Sequence, residues 1–341
     1  MRRFMALGLA VCMGAMGLAG CAKADTGSAK ETAQAGTQAN QSSSEESQAA
    51  NADSRLDKLV LTYVTSPLNI PTIVEKHETI FADSFKDMGI TVEYAEINSG
   101  ADQTQALASG DVQILYAVGA TSVVLSAANG ADIKVLNMYS RSPEAFRLYS
   151  KDEDISTPES LKGKTVAGPA GTNLHELLVS YLASGGLTID DVNYVNMSIP
   201  DAKAGLDGGS VDAALVAGAA AYQADQQGYN LVTDGDGLIK AIIAVAVRAD
   251  FYEQHRDVIG RFMEAQQKIA AFIAENQDEA LKIAAQELDL DEEAAREMYE
   301  YYDFSMEISD EDREGFQKTA DFMLEAGMIE EPLDVSTLFL Q

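Results

Sequence analysis

The sequence predicts an α/β protein of two lobes, each a mainly parallel sheet flanked by helices. Three observations carry this. Short apolar runs alternate with helix-periodic segments, the pattern of parallel strands joined by crossover helices. That order is written twice. The block 106–120, "ALASGDVQILYAVGA", also returns at 205–219 as "GLDGGSVDAALVAGA", an offset of 99 that superposes Leu107 on Leu206, Gly110 on Gly209, Val112 on Val211 and Gly119 on Gly218.

The elements follow in order. "KLVLTYV" is a strand, the loop "TSPLNIP" follows, and one helix runs through "TIVEKHETIFADSF". "ITVEYAEI" is a second strand, "ADQTQALASG" a helix, "VQILYAV" a third strand, "VVLSAANG" a helix and "IKVLNMY" the closing strand. The second pass reads "KTVAG", "LHELLVSYLASG", "VNYVNM", "SIPDAKAGLDGG", "VDAALVA", "GAAAYQADQQG" and "YNLVTD". Two strands cross between lobes, "FRLYSKD" outward and "AIIAVAVRADF" back. The rest is helical, with Val258, Ile259, Phe262, Met263, Ile269, Phe272 and Ile273 at helical spacing and a last helix capped by Ser309. It packs back on the first lobe, with "MYEYYDF" filling core and groove. The organisation is 1–20 signal, 21–55 tether, 56–145 first lobe, 146–245 second lobe and 246–341 the helical return to the first lobe.

Arg2 and Arg3 precede an uncharged stretch too short and glycine-rich for a membrane span, which reads as a secretory signal. Leu18-Ala19-Gly20-Cys21 resembles a bacterial lipobox, implying cleavage before Cys21 and a lipid anchor on it. Residues 22–55 lack any aromatic or large aliphatic side chain until the folded body and cannot order themselves. Cysteine occurs only at positions 12 and 21, so the processed chain has no thiol for a disulfide, a zinc site or a nucleophile. The net charge of −30 repels nucleic acid and anionic membrane surfaces.

No catalytic set emerges. His77, His175 and His255 stand in no metal-ligand spacing, there is no G-x-S-x-G, and "GPAGTN" fits neither a P-loop nor a dinucleotide fingerprint. The expectation is a binding protein without cofactor or metal. What the sequence does supply is strand-to-helix turns: "SPLN" (66–69), "NSGA" (98–101) and "GATS" (119–122) in the first lobe, "AGTN" (170–173) and "GAAA" (218–221) in the second. Open α/β sheets bind ligands beyond the carboxyl ends of their strands, where helix N-termini offer N–H groups and a positive dipole end. Simple capping competes with this, and Asn173 with Glu176 has the spacing of a capping box.

From about Leu59 to Glu279 the chain resembles the solute-binding proteins of nitrate/taurine/sulfonate ABC importers. The blocks that carry the likeness are "LNIP", "INSGADQTQALASGDVQI", "ANGADIKVL", "SLKGKTVAGPAGTNLHELL" and "GSVDAALVAG". The resemblance implies a periplasmic-binding-protein-like clamp of type II, monomeric and extracytoplasmic. It would close on a small-molecule solute and deliver it to an ABC permease and its ATPase. Residue by residue it places the ligand loops on Asn69, Ser99, Gly100, Thr121, Thr172, Asn173, His175 and Gly218, with Tyr222 as a wall. Many members carry a Trp-Glu-Pro-like group where this chain has Val216-Ala217-Gly218-Ala219, so an amine-bearing or ring-stacked ligand lacks its partner. Arg141 and Arg147 are the basic residues nearest the lobe crossing, and Arg141 is a candidate for an anionic head group. A small organic anion such as an alkanesulfonate is the expected solute. The alternatives are a neutral pyrimidine-like heterocycle in the same clamp, or a sensing lipoprotein feeding a membrane receptor.

Overall fold

The computed structural model describes residues 56–97 and 99–340. The signal, the tether and Cys21 lie outside the described residues. The chain opens with β1 (Lys58–Thr62), α1 (Ile70–Glu78), α2 (Ile80–Phe85), β2 (Thr91–Ala95), α3 (Gly100–Ser109), β3 (Ile114–Gly119), α4 (Ala120–Ala128) and β4 (Ile133–Arg141). It crosses into β5 (Phe146–Ser150), β6 (Thr165–Gly168), α5 (Asn173–Ser184), β7 (Asn193–Asn196), α6 (Ile199–Gly208), β8 (Ala213–Ala217), α7 (Ala219–Gln226) and β9 (Asn230–Asp234). It returns through β10 (Ile242–Arg248), α8 (Ala249–Gln254), α9 (Arg256–Glu275), α10 (Gln277–Glu287), α11 (Glu292–Tyr299) and α12 (Asp310–Glu325).

Two five-stranded sheets result, ordered β2-β1-β3-β10-β4 and β7-β6-β8-β5-β9. In each, the fourth strand alone runs antiparallel to its neighbours, and in each it is a crossing strand, β10 in the first sheet and β5 in the second. The strands β1, β2 and β3 are parallel, as are β6, β7 and β8, so their carboxyl ends share one edge of each sheet. The expected lobe boundary at 245/246 falls inside β10. Ile242 already pairs with Arg141, so the return crossing precedes it.

The sequence repeat is a structural one. Helix α3 recurs at the same offset as α6, and each is closed by a left-handed glycine, Gly110 (φ 84°) and Gly209 (φ 72°). Each also opens on a serine whose Oγ accepts the N–H two residues into the helix, Ser99 from Asp102 and Ser198 from Asp201. The single helix expected over 72–85 is instead broken at Thr79, which adopts φ 55°. There the Phe81 N–H donates to the Glu75 carboxylate, replacing the helical partner lost at the break.

Both faces of the first sheet are covered by the C-terminal helices, which is why the tail belongs to that lobe. On one face Phe262 of α9 stacks on Phe81 at 4.8 Å, and on the other Phe316 and Met323 of α12 join Val123 and Val124 of α4. Ser309 caps α12 as expected, accepting the Asp312 N–H at 3.1 Å while Asp312 accepts the Ser309 N–H at 2.7 Å. Ser309→Ala is expected to cost about 1 kcal/mol in urea unfolding; a loss below a few tenths would mean the box is redundant with the packing of Phe316.

Candidate functional site

The turns at the carboxyl ends of the parallel strands form the rim of each lobe. In the first lobe, Asn69 does not cap α1: its amide donates to the Val64 and Ser66 carbonyls at 2.9 and 3.2 Å and so shapes the loop after β1. Ser99 is occupied as the cap of α3. Because Ser198 does the same at the equivalent point of the second lobe, the cap is part of the repeated scaffold. Gly100 is required by packing, since a Cβ there would overlap Ser122 of α4. Thr121 stands in the first turn of α4, whose N-cap is Gly119 and which has no side-chain cap. It is 3% exposed, and its hydroxyl makes no hydrogen bond among the described residues.

In the second lobe the turn 168–172 is braced from within. The Thr172 hydroxyl donates to the Pro169 carbonyl at 2.8 Å, the Ala170 N–H to Asn196 Oδ1 at 2.9 Å, and the Gly171 N–H to His175 Nδ1 at 3.2 Å. Gly171 takes φ 71°, a conformation open to glycine at no steric cost. The His175 ring stacks on Tyr194 at 4.8 Å, and burial lowers its pKa below 6.5, so at neutral pH it is an uncharged brace. Its role is to position the turn. The capping box expected from Asn173 and Glu176 does not form. Thr172 is the N-cap, and Glu176 reaches across to accept from Thr319 of α12 at 3.0 Å, because its side chain faces the other lobe. Helix α5 therefore starts without a side-chain cap, and Asn173, 5% exposed at its first position, makes no side-chain hydrogen bond among the described residues.

The lobes meet at several points. Gly218, uncapped N-cap of α7 with φ 61°, lies so close to Pro67 that a Cβ would sit 2.9 Å from the Pro67 carbonyl oxygen. Tyr222, one turn on, borders a crevice of about 30 Å³ with Gly218, Arg147 and Tyr301. Arg147 is buried there, bonded to Asp225 at 2.6 Å and to Tyr149 at 3.1 Å, with its guanidinium 4.4 Å from the centre of the Tyr301 ring. Asp225 and Tyr301 carry no local sign of this partnership, being far from Arg147 in sequence. The expectation that Arg141 serves an anion is corrected. Its Nε and Nη2 bond both oxygens of Asp312 at 2.6 Å, and the remaining donors go to Ser305, Glu307 and Asp303. That leaves Arg141 a brace between the end of β4 and the start of α12.

The rims thus offer four helix N-termini without a side-chain cap, at α1, α4, α5 and α7, and buried side chains with free hydrogen-bonding capacity that include Thr121 and Asn173. Such a set can hold a small anion through N–H groups without a cation. No cluster of His, Cys, Asp and Glu suited to a metal occurs among the described residues.

Known proteins share this fold. The chain is 26% identical over 269 residues, 78% of its length and 81% of the relative's, to a candidate aliphatic sulfonates-binding protein of Bacillus subtilis (strain 168). It is 31% identical over 199 residues, 57% of its length and 60% of the relative's, to the taurine-binding periplasmic protein of Escherichia coli (strain K12). The aliphatic sulphonate binding protein SsuA of Escherichia coli superposes with a TM-score of 0.75 at 20% identity, over 84% of this chain and 92% of that one. The alkanesulfonate-binding protein SsuA of Xanthomonas axonopodis pv. citri, bound to MOPS, gives 0.75 at 19% identity, over 83% and 98%. These two establish the two-lobed periplasmic-binding-protein fold. The NMT1/THI5-like family profile matches residues 82–280, more than half of the sequence, and the chain belongs to the NMT1/THI5-like family.

Proposed function

We propose that this chain is the extracytoplasmic solute-binding component of an ABC importer and that it holds a small organic anion of the alkanesulfonate class between its lobes. It would act as a monomer tethered through a lipid on Cys21, and pass its solute to a permease driven by an ATPase. The carrying observation is the pair Thr121 and Asn173, both buried and both unbonded at uncapped helix starts, one in each lobe. The names of the relatives, aliphatic sulfonates-binding and taurine-binding, support the same class. A sulfonate head would accept the first-turn N–H groups together with the Thr121 hydroxyl and the Asn173 amide. Hydrogen bonds to a charged group contribute about 1.5–3 kcal/mol each. The alkyl tail needs only apolar surface. The work is binding, with no bond made or broken.

Thermal unfolding of the full chain against alkanesulfonates, taurine, nitrate, small carboxylates and neutral pyrimidines tests this. A solute at 100 times its dissociation constant adds about 2.7 kcal/mol of stability. Ethanesulfonate is expected to raise the midpoint, and Asn173→Ala to weaken it at least tenfold in titration while leaving the ligand-free midpoint nearly unchanged. A shift with neutral rings alone would overturn the anion reading. Unaltered ethanesulfonate affinity in Asn173→Ala would move the ligand away from these turns.

A further inference from the structure

Beneath the segment joining α11 to α12, the first lobe contains a cavity of about 320 Å³. None of Thr121, Asn173 and Gly218 lines it. Its walls are aromatic. Phe304 lies nearly parallel to Tyr302 at 5.5 Å and to Tyr299 at 5.9 Å, and Tyr139 meets Phe304 edge-on at 6.1 Å. Tyr116 in turn meets Tyr139 edge-on at 5.1 Å. Rings that hold one another this way keep the space open and its shape fixed. Tyr302 also borders the crevice beside Arg147, so it stands between that crevice and the cavity.

Polar groups on the wall are few and uncharged in effect. The Tyr139 hydroxyl is engaged by Thr72 at 2.8 Å. Tyr116 and Gln266, each 3% exposed, lie side by side, and the Gln266 oxygen is taken by the Asn137 amide at 2.9 Å. The Gln266 amide also donates to the Tyr116 phenol, so the buried polar group left without a partner on this wall, among the described residues, is the Tyr302 hydroxyl. Asp303 is the charged residue on the wall, and Arg141 and Ser305 already hold its carboxylate. No lysine or arginine lines the cavity, so an anion would enter without a counter-charge, at a desolvation cost nothing offsets.

We propose that this cavity is a second binding site, distinct from the interlobe cleft, for a neutral planar molecule carrying one amide or hydroxyl group. Its volume suits roughly ten to fifteen non-hydrogen atoms. The ring slots between the aromatic walls, and the polar group meets the Tyr302 hydroxyl. The site does not depend on what the cleft binds.

Isothermal titration of the full chain with benzamide tests it, with benzoate as the charged counterpart. Benzamide is expected to bind one to one, equally well with and without excess ethanesulfonate, and benzoate at least tenfold more weakly. Ala270→Trp and Ala274→Trp, one turn apart on the exposed edge of α9 at the cavity mouth, should each weaken benzamide at least tenfold. Circular dichroism checks that both variants fold. The site is refuted by absence of saturable binding, by benzoate binding as tightly as benzamide, by displacement with ethanesulfonate, or by unchanged affinity in a folded tryptophan variant. The benzoate and ethanesulfonate comparisons use the unaltered chain and decide the matter even if neither variant folds.

Discussion

Arg141→Met is expected to destabilise the protein by about 3–5 kcal/mol and to leave ethanesulfonate affinity per folded molecule unchanged. The cost arises at its partner. Asp312 is 2% exposed, and without the guanidinium it keeps only the Ser309 N–H and hydroxyl, at 2.7 and 2.8 Å. Burial alone would raise the Asp312 pKa, but the Arg141 and Ser309 bonds outweigh it and the net shift is downward from 3.8. A depressed carboxylate contributes stability above its unfolded pKa, and that contribution is lost as pH falls through the folded value. The deficit of Arg141→Met should therefore be full at pH 7 and shrink below about pH 4, once Asp312 is protonated in both proteins. Urea unfolding across that range measures it. A variant that keeps its stability but loses ethanesulfonate would restore Arg141 as a ligand residue.

Arg141 also shows where sequence reading stops. Its proximity to the lobe crossing is legible from "YSRSPEAFRLY", but the carboxylate that claims it is 171 residues away. The same limit applies to Arg147 with Asp225 and to Glu176 with Thr319, pairs made by packing of distant helices. Local patterns fared better. Strand and helix order, the repeat linking α3 to α6 and the Ser309 cap all follow from spacing within one or two turns. The repeat even contained the means to recognise Ser99 as a cap, through its counterpart Ser198. Glu176 followed three residues after a plausible cap and pointed to a local box; the competing interaction came from the other lobe. The Thr79 break was hidden because the apolar spacing of "TIVEKHETIFADSF" continues across it, and only the bond from Phe81 to Glu75 reveals why it is tolerated. Tyr299, Tyr302 and Phe304 were legible as groove-filling residues, but not the cavity they leave open.

Glu176→Gln is expected to stabilise the protein by about 2–3 kcal/mol at pH 8 and by little at pH 5. Burial is the main cause of the elevated Glu176 pKa, which the Thr319 hydroxyl only partly offsets, giving a value of about 7 against 4.5 for an ordinary glutamate. The folded state then binds a proton that the unfolded state releases between these values. Stability is complete below the unfolded pKa and declines as pH rises toward 7, at about 1.4 kcal/mol per unit. A glutamine keeps an oxygen for Thr319 and has no proton to lose, so the slope between pH 5 and 8 should flatten. Glu75, fully buried with a pKa also raised to about 7, provides a second such slope and remains in the variant. Lys240 and Lys318 share the walls of the cavity that borders Glu176. If either pairs with the carboxylate in solution, the glutamine variant will be less stable at pH 8, and the reading of Glu176 as a protonated interlobe contact fails. Equal stabilisation at both pH values would fail it too, since packing alone would then explain the gain. Because Glu176 is buried where α5 meets α12 across the lobes, its ionised form, although still bonded by Thr319, carries a desolvation cost that separation of the lobes would relieve. Ethanesulfonate affinity should accordingly fall above pH 7 in the natural chain and stay level in Glu176→Gln, which ties the stability slope to closure of the clamp.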